Sequence, residues 1–291
     1  IQIFGGGAHA ARRVDVQDFM VMPTGAWTFG DAIAIVAEVY RAAGALMAEA
    51  GKLHGVADEG GFWPDFASNE EALTMLVRAI ERAGLQPGKD VAISLDIAAS
   101  EFGRDGTYKL ALDGRELDRD AFSVMLLEWI QKFPIVSIED PFAEDDRVAW
   151  IRFAEVAAAR VQIVGDDYLT TNASAVDRAA IENACNAVLV KPNQAGTLTE
   201  ARAALDAGKR HGMGTIVSAR SGETEDVTIA HLAVGWNAGQ LKVGSFARSE
   251  RMAKWNEVLR IEEALGGAAT FAGLAALPLR RPVRTHGKPP A

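Results

Sequence analysis

Cysteine is almost missing from this chain. Its 291 residues include one, Cys185, so no internal disulfide can form. That scarcity fits a reducing compartment, and a cytoplasmic location is the expectation. Cys185 stands just before the apolar stretch Ala187–Val190 and reads as a small buried residue with no chemistry of its own. Long apolar runs are missing too. Nothing approaches the ~18 uninterrupted apolar residues of a membrane span, and no basic segment leads into an apolar one as in a secretory leader. A membrane is therefore not an expected partner. A positive excess is also absent: 30 Lys and Arg against 39 Asp and Glu leave a formal net charge of −9. This argues against nucleic acid as a default partner. It leaves anionic substrates open, because bound cations and local lysines reverse the sign inside a pocket. No P-loop, dinucleotide fingerprint, Cys-x-x-Cys or His-Glu-x-x-His pattern occurs.

What is present reads as one large α/β domain: 49% hydrophobic and 24% charged residues are ordinary for a globular protein of this size. Five short apolar runs each end on a residue able to do chemistry. Val91–Leu95 leads into Asp96, Ile135–Ile138 into Glu139, Gln162–Gly165 into Asp166, Ala187–Val190 into Lys191, and Gln240-Leu241 into Lys242. Helical patterns separate consecutive runs, such as Phe122, Met125, Leu126 and Trp129 at i, i+3, i+4, i+7 behind a capping Asp118. Other expected caps are Asn69, Asn172, and Thr197 or Thr199. Strands that repeatedly deliver charge at their C-terminal ends are how a parallel (β/α) barrel builds a site on one face. Their continuous rather than alternating apolarity predicts burial on both sides. The first residues, Ile1–Phe4, read as a strand already under way. The barrel is expected over 1–266. A C-terminal extension follows over 267–291, partly disordered and solvated, with Arg280, Arg281, Arg284 and Lys288 among its last residues.

Asp96, Glu139 and Asp166 offer only oxygen, which favours Mg²⁺, Ca²⁺ or Mn²⁺ over Zn²⁺. One acid at a strand end is commonly a helix cap; three on successive strands point to a shared cation. Lys191 and Lys242 follow buried segments and need a partner or a task. A cation nearby would lower the lysine pKa and free an amine to act as a base; both lysines as mere counter-ions is the alternative. His9, after Gly5-Gly-Gly-Ala8, is by itself more simply a solvated loop residue, and Glu59 in Asp58-Glu-Gly-Gly61 a solvated turn. Arg220 and Ser221, between a strand and a helix, suit a phosphate.

The chain resembles the enolases. The resemblance rests on Gly6-Gly-Ala-His9, Gln17-Asp-Phe-Met20, Asp58-Glu-Gly-Gly-Phe62, Leu95-Asp-Ile-Ala-Ala-Ser-Glu-Phe102, Ser137-Ile-Glu-Asp-Pro-Phe142, Gly165-Asp-Asp167, Leu189-Val-Lys-Pro-Asn-Gln194, Arg220-Ser-Gly-Glu-Thr-Glu-Asp226, Arg248-Ser-Glu-Arg251 and Arg260-Ile-Glu-Glu263. It implies a TIM-type (β/α)8 barrel opening β-β-α-α, with no counterpart of the family's N-terminal capping domain. It implies a phosphopyruvate hydratase, converting 2-phospho-D-glycerate to phosphoenolpyruvate in glycolysis. One Mg²⁺ would be held tightly by Asp96, Glu139 and Asp166, and a second would arrive with substrate near Ser221. Lys191 would be the base, Lys242 would neutralise the enolate, and Glu59 would assist the departing hydroxide. Arg220 and Ser221 would bind the phosphate, with His9 and Asp18 at the hydroxyl end. The partner would be a small phosphorylated carboxylate, and a homodimer is the implied assembly. Two residues depart from the family pattern: Ala219 stands where enolases carry His, and Asp18 where they carry Glu. These leave open two alternatives, an enolase-like enzyme for a related phospho- or phosphono-carboxylate, and a non-catalytic binding protein.

Overall fold

The computed structural model describes residues 1–279. The arginine- and lysine-bearing tail beyond them, 280–291, lies outside the described residues. Eleven strands are described: β1 (Gln2–Gly5), β2 (Asp18–Met22), β3 (Ala92–Asp96), β4 (Gly103–Arg104), β5 (Thr107–Leu110), β6 (Arg115–Asp118), β7 (Ile135–Glu139), β8 (Gln162–Gly165), β9 (Ala187–Val190), β10 (Gly214–Ser218) and β11 (Gly239–Lys242). The helices are α1 (Phe29–Glu49), α2 (Asn69–Arg82), α3 (Arg119–Lys132), α4 (Arg147–Ala157), α5 (Ala173–Ile181), α6 (Pro192–Ala195), α7 (Leu198–Arg210), α8 (Thr228–Gly235) and α9 (Ser249–Leu265). None is long and apolar enough to cross a membrane.

Eight strands form one curled sheet in the order β1-β2-β3-β7-β8-β9-β10-β11, with helices outside: a (β/α)8 barrel opening β-β-α-α. Pairing from β3 through β11 is parallel, but β2 runs antiparallel to both β1 and β3. The β-β opening is as expected, and its second strand is the one that runs against the parallel strands read from their charged ends. The reason is length: 12 residues between Gly5 and Asp18 return the chain to the same end without a crossover helix. The start of β2, rather than its end, therefore reaches the mouth formed by the C-terminal ends of the other strands, and Asp18 pairs in register with Asp96. Across the remaining seam the Gln2 N–H donates to the Gly244 carbonyl at 3.1 Å. The loop carrying Glu59 wedges in beside it, with the Phe62 N–H donating to Ile3 (2.8 Å) and the Ser245 N–H to the Glu59 carbonyl (2.9 Å).

Of the strands read from apolar runs, β3, β8 and β9 are buried at every position and β7 at all but Val136; β10 is buried throughout as well. β11 is the exception, being partly exposed along its length. A second departure lies between β3 and α3, where strand and helix do not simply alternate. β4, β5 and β6 make a small antiparallel sheet. Asp105-Gly106, with φ of 52° and 76°, forms its first turn, and this dipeptide is the strongest short hairpin signal a sequence offers. The sheet is pinned to the barrel by stacked rings: Tyr108 on Phe122 at 4.4 Å, and Phe142 edge-on to both. The caps at Asp118, Asn172 and Thr197 are as expected. Asn69 is not a cap. Ser68 accepts from the Glu71 N–H, while Asn69 is fully buried, donating to Asp15 and accepting from the Val16 N–H. Beyond Leu265 two short 3-10 turns follow, Gly266–Ala268 and Gly273–Ala276, and Leu277 is buried.

Candidate active site

Six charged groups converge at the mouth because each ends a strand, directly follows one or begins β2. Asp96 and Glu139 are neighbours on adjacent parallel strands, and Asp166 follows the next strand. They are 2%, 3% and 6% exposed. Lys242 reaches in from β11: its ammonium donates to Asp96 Oδ2 and Glu139 Oε1, at 2.8 Å each, and lies 3.5 Å from Asp18 Oδ2. Lys191, after β9, pairs with Asp166 Oδ2. Asp166 keeps its other oxygen, Oδ1, buried and without a partner.

Burial, then the charges of Asp96 and Asp166, drive Glu139 well above the usual carboxylate range; Lys242 offsets part of this. Asp140 behind it is pushed up by burial and by Asp166, yet both its oxygens accept backbone N–H groups, from Asp166 (2.9 Å) and Asp167 (2.7 Å). Crowded buried carboxylates, an orphaned oxygen and an oxygen-only donor set fit a hard divalent cation. Here the two ammoniums supply the positive charge instead. Burial works against a charged Lys191, but Asp166 and Glu139 outweigh it and raise its pKa. With the carboxylates facing it directly Lys191 holds its proton; the lowered pKa read from the sequence is for a lysine beside a cation.

The other half of the site is a proton network. His9 is buried, not solvated: Nδ1 faces Asp18 Oδ1 at 3.1 Å, while Nε2 faces Ser221 Oγ at 3.3 Å and Glu59 Oε1 at 4.0 Å. Burial disfavours its charge, but the hydrogen bond and charge of Asp18, then Glu59, raise it to about 9. Glu59 is also buried, not part of a solvated turn; burial, then repulsion from Asp18, pushes it up to about 7. His9, Asp18 and Glu59 each bring a ligand atom within 4.8 Å of the others. The imidazole presents a different nitrogen to each acid, and its raised affinity for a proton favours an imidazolium between them. Ala219, Gln17, Ser218 and Val243 complete a polar cavity of about 20 Å³. That is room for about one water. A larger cavity, 460 Å³, runs through the bore beneath, reaching Glu139 and Lys242 from below, but is walled mainly by apolar groups such as Met20, Ile33 and Trp255. The convergent charges assign the chemistry to the mouth.

Several supporting residues were not read from the sequence. Gln2 is fully buried; its amide donates to Asp18 Oδ1 and accepts from the Gly61 N–H at 2.8 Å. A Cβ at Gly61 would lie 2.5 Å from that amide oxygen, so glycine is needed there. A lone glutamine between Ile1 and Ile3 was the available signal. Gln17 donates to Asp96 Oδ2 at 3.3 Å. On α9, Arg251 and Lys254 share the buried side with Trp255 and Val258. The Arg251 guanidinium donates to the carbonyls of Arg220, Ser221 and Val243, and lies 3.7 Å from Glu59. Lys254 donates to the Thr224 carbonyl and pairs with Glu223 at 2.8 Å. Two buried cations at helical spacing thus fold the Arg220–Asp226 loop over the site. Arg220 itself is half-buried on this loop, and Ser221 is exposed at the cavity edge.

Against known proteins, the family described as enolase, C-terminal TIM barrel domain, matches residues 1–278. A curated relative, "Enolase 1" of Desulfitobacterium hafniense (strain Y51), is 50% identical over 274 residues. That alignment covers 93% of this chain and 63% of the relative, so the chain spans less than two thirds of that protein's length. Matched over nearly its whole length, the chain belongs to the enolase family, as the C-terminal barrel domain.

Proposed function

We propose that this barrel carries the active site of a lyase that removes the proton α to a carboxylate and eliminates water, converting 2-phospho-D-glycerate to phosphoenolpyruvate. The observation that carries the reading is the opposition, at one barrel mouth, of Asp96, Glu139 and Asp166 to Lys191 and Lys242. Asp96, Glu139 and Asp166 would hold Mg²⁺, which when bound would take the carboxylates away from the ammoniums, lower the lysine affinity for protons and draw off enolate charge. Lys191 takes the α-proton. Lys242, still cationic, faces the developing enolate, where positioned charge is worth most. Glu59, held near neutrality in its affinity for a proton, suits the acid that protonates the leaving hydroxide. His9, bridged to Asp18, orients the hydroxyl, and Arg220 with Ser221 receives the phosphate.

A second reading is favoured by one observation. Ala219 is buried in an apolar patch with Val243 and Trp255 and borders the cavity shared by His9, Asp18 and Ser221. It offers no polar atom from its side chain, which suits a related phospho- or phosphono-carboxylate lacking one hydrogen-bonding group. The test is ultraviolet absorbance of the enolpyruvate product after 2-phosphoglycerate and Mg²⁺ are added to the full-length protein. Steady turnover supports the first reading. Mg²⁺-dependent α-proton exchange without product, corrected by Ala219→His, supports the second. Neither exchange nor product overturns both.

A further inference from the structure

Between β8 and α5 the backbone takes a turn that its residues ordinarily avoid. Thr170 and Thr171 both lie in the left-handed region, with φ of 48° and 52°. A β-branched residue there is an outlier, because its Cβ crowds the neighbouring carbonyl. The turn is held by its own backbone: the Leu169 and Thr170 N–H groups both donate to the Asp166 carbonyl, at 3.1 and 2.7 Å, and the Asn172 N–H donates to Leu169 at 3.0 Å. Thr170 is exposed, whereas Thr171 is 3% exposed.

What the turn delivers is the Thr171 hydroxyl. It accepts the backbone N–H of Lys191 at 3.0 Å and donates to Gln194 Oε1 at 2.7 Å. The Gln194 N–H donates back to the Lys191 carbonyl at 3.0 Å. Lys191 is the N-cap of α6, extended at φ −109° and ψ 102°, and Pro192 follows it. A residue before proline is kept from helical angles. Both peptide groups of Lys191 are thus gripped, and its side chain alone is left to move. Asp166, the acid that faces the amine, stands at the start of the same turn, so a single loop sets both ends of the pair.

We propose that Thr171 is a positioning residue for Lys191: its hydroxyl, carried into place by the left-handed Thr170–Thr171 turn, fixes the backbone from which the amine reaches the substrate. This rests on Lys191 being the base. The test compares Thr171→Val, which keeps the shape and removes both hydrogen bonds, with Thr171→Ser, which keeps the hydroxyl. In the full-length protein with Mg²⁺ and 2-phosphoglycerate, Thr171→Val is expected to lower kcat and α-proton exchange by about tenfold to a hundredfold at a KM changed by less than about twofold, the cost of a misplaced reacting group. Thr171→Ser is expected to stay within about threefold of the parent. Equal losses in both variants, or a loss confined to KM, overturn the inference. If the parent protein shows no exchange, the reading of Lys191 as base fails, and crystal structures decide the role of Thr171. Lys191 displaced in Thr171→Val and unmoved in Thr171→Ser supports it; an unmoved Lys191 in Thr171→Val overturns it.

Discussion

An imidazole held between two carboxylates keeps its proton far longer than one in water. His9 sits so between Asp18 and Glu59, and its affinity is raised from 6.5 to about 9. The sign follows directly. A group whose folded pKa exceeds its unfolded value stabilises the fold fully below the unfolded value and ceases to as pH rises through the folded one. The His9 contribution is therefore complete below pH 6.5 and lost by about pH 9. Histidine NMR titration is expected to show this ring still charged at pH 7.5, and Asp18→Asn to bring its midpoint down. A ring titrating near its ordinary value would remove the imidazolium bridge. Arg251 is the second test at this scale. Replacing it with Met leaves three carbonyls and Glu59 without their cation, and stability should fall by about 3 kcal/mol in urea denaturation. A change within about 0.5 kcal/mol would mean the guanidinium is not the clamp of the Arg220–Asp226 loop.

Elements were legible wherever one strong signal stood alone. Apolar runs ending in Asp96, Glu139, Asp166 and Lys191 mark β3, β7, β8 and β9, since a doubly buried strand has no need to alternate. Adjacent signals of equal strength were harder to rank. Ser68 and Asn69 are both good caps, and tertiary contacts decide between them: the Asn69 amide is taken by Asp15 and Val16. Ser68→Ala should therefore cost about 1 kcal/mol, as for a lost cap. Asn69→Ala should cost about 2 kcal/mol, because it strands the buried Val16 N–H as well. Denaturation midpoints in the reverse order would restore Asn69 as the cap. The β4–β6 sheet has one signal in the sequence, Asp105-Gly106, which was not read as a hairpin.

At the scale of the molecule, the antiparallel β2 was hidden because a five-residue strand carries no mark of direction in its composition. Its consequence is chemical, for it brings Asp18 rather than Met22 to the mouth, against Asp96 and His9. The charged residues of the site were legible as residue types at strand ends and through the enolase motifs. The Gln2 amide, the Arg251 clamp and the Thr171 hydroxyl were not, because their partners, backbone groups among them, are brought near only by the closed barrel. The same closure forces lysine ammoniums against buried carboxylates, a compromise that a divalent cation and substrate would resolve.

The most direct measurement of that idea is α-proton exchange of 2-phosphoglycerate in D₂O, followed by NMR with the full-length protein and its Lys191→Met variant, with and without Mg²⁺. Exchange is predicted only with Mg²⁺ and intact Lys191, with a loss of about 10³-fold or more in the variant. Exchange at the parent rate in Lys191→Met, or none by the parent at saturating Mg²⁺, would contradict the account.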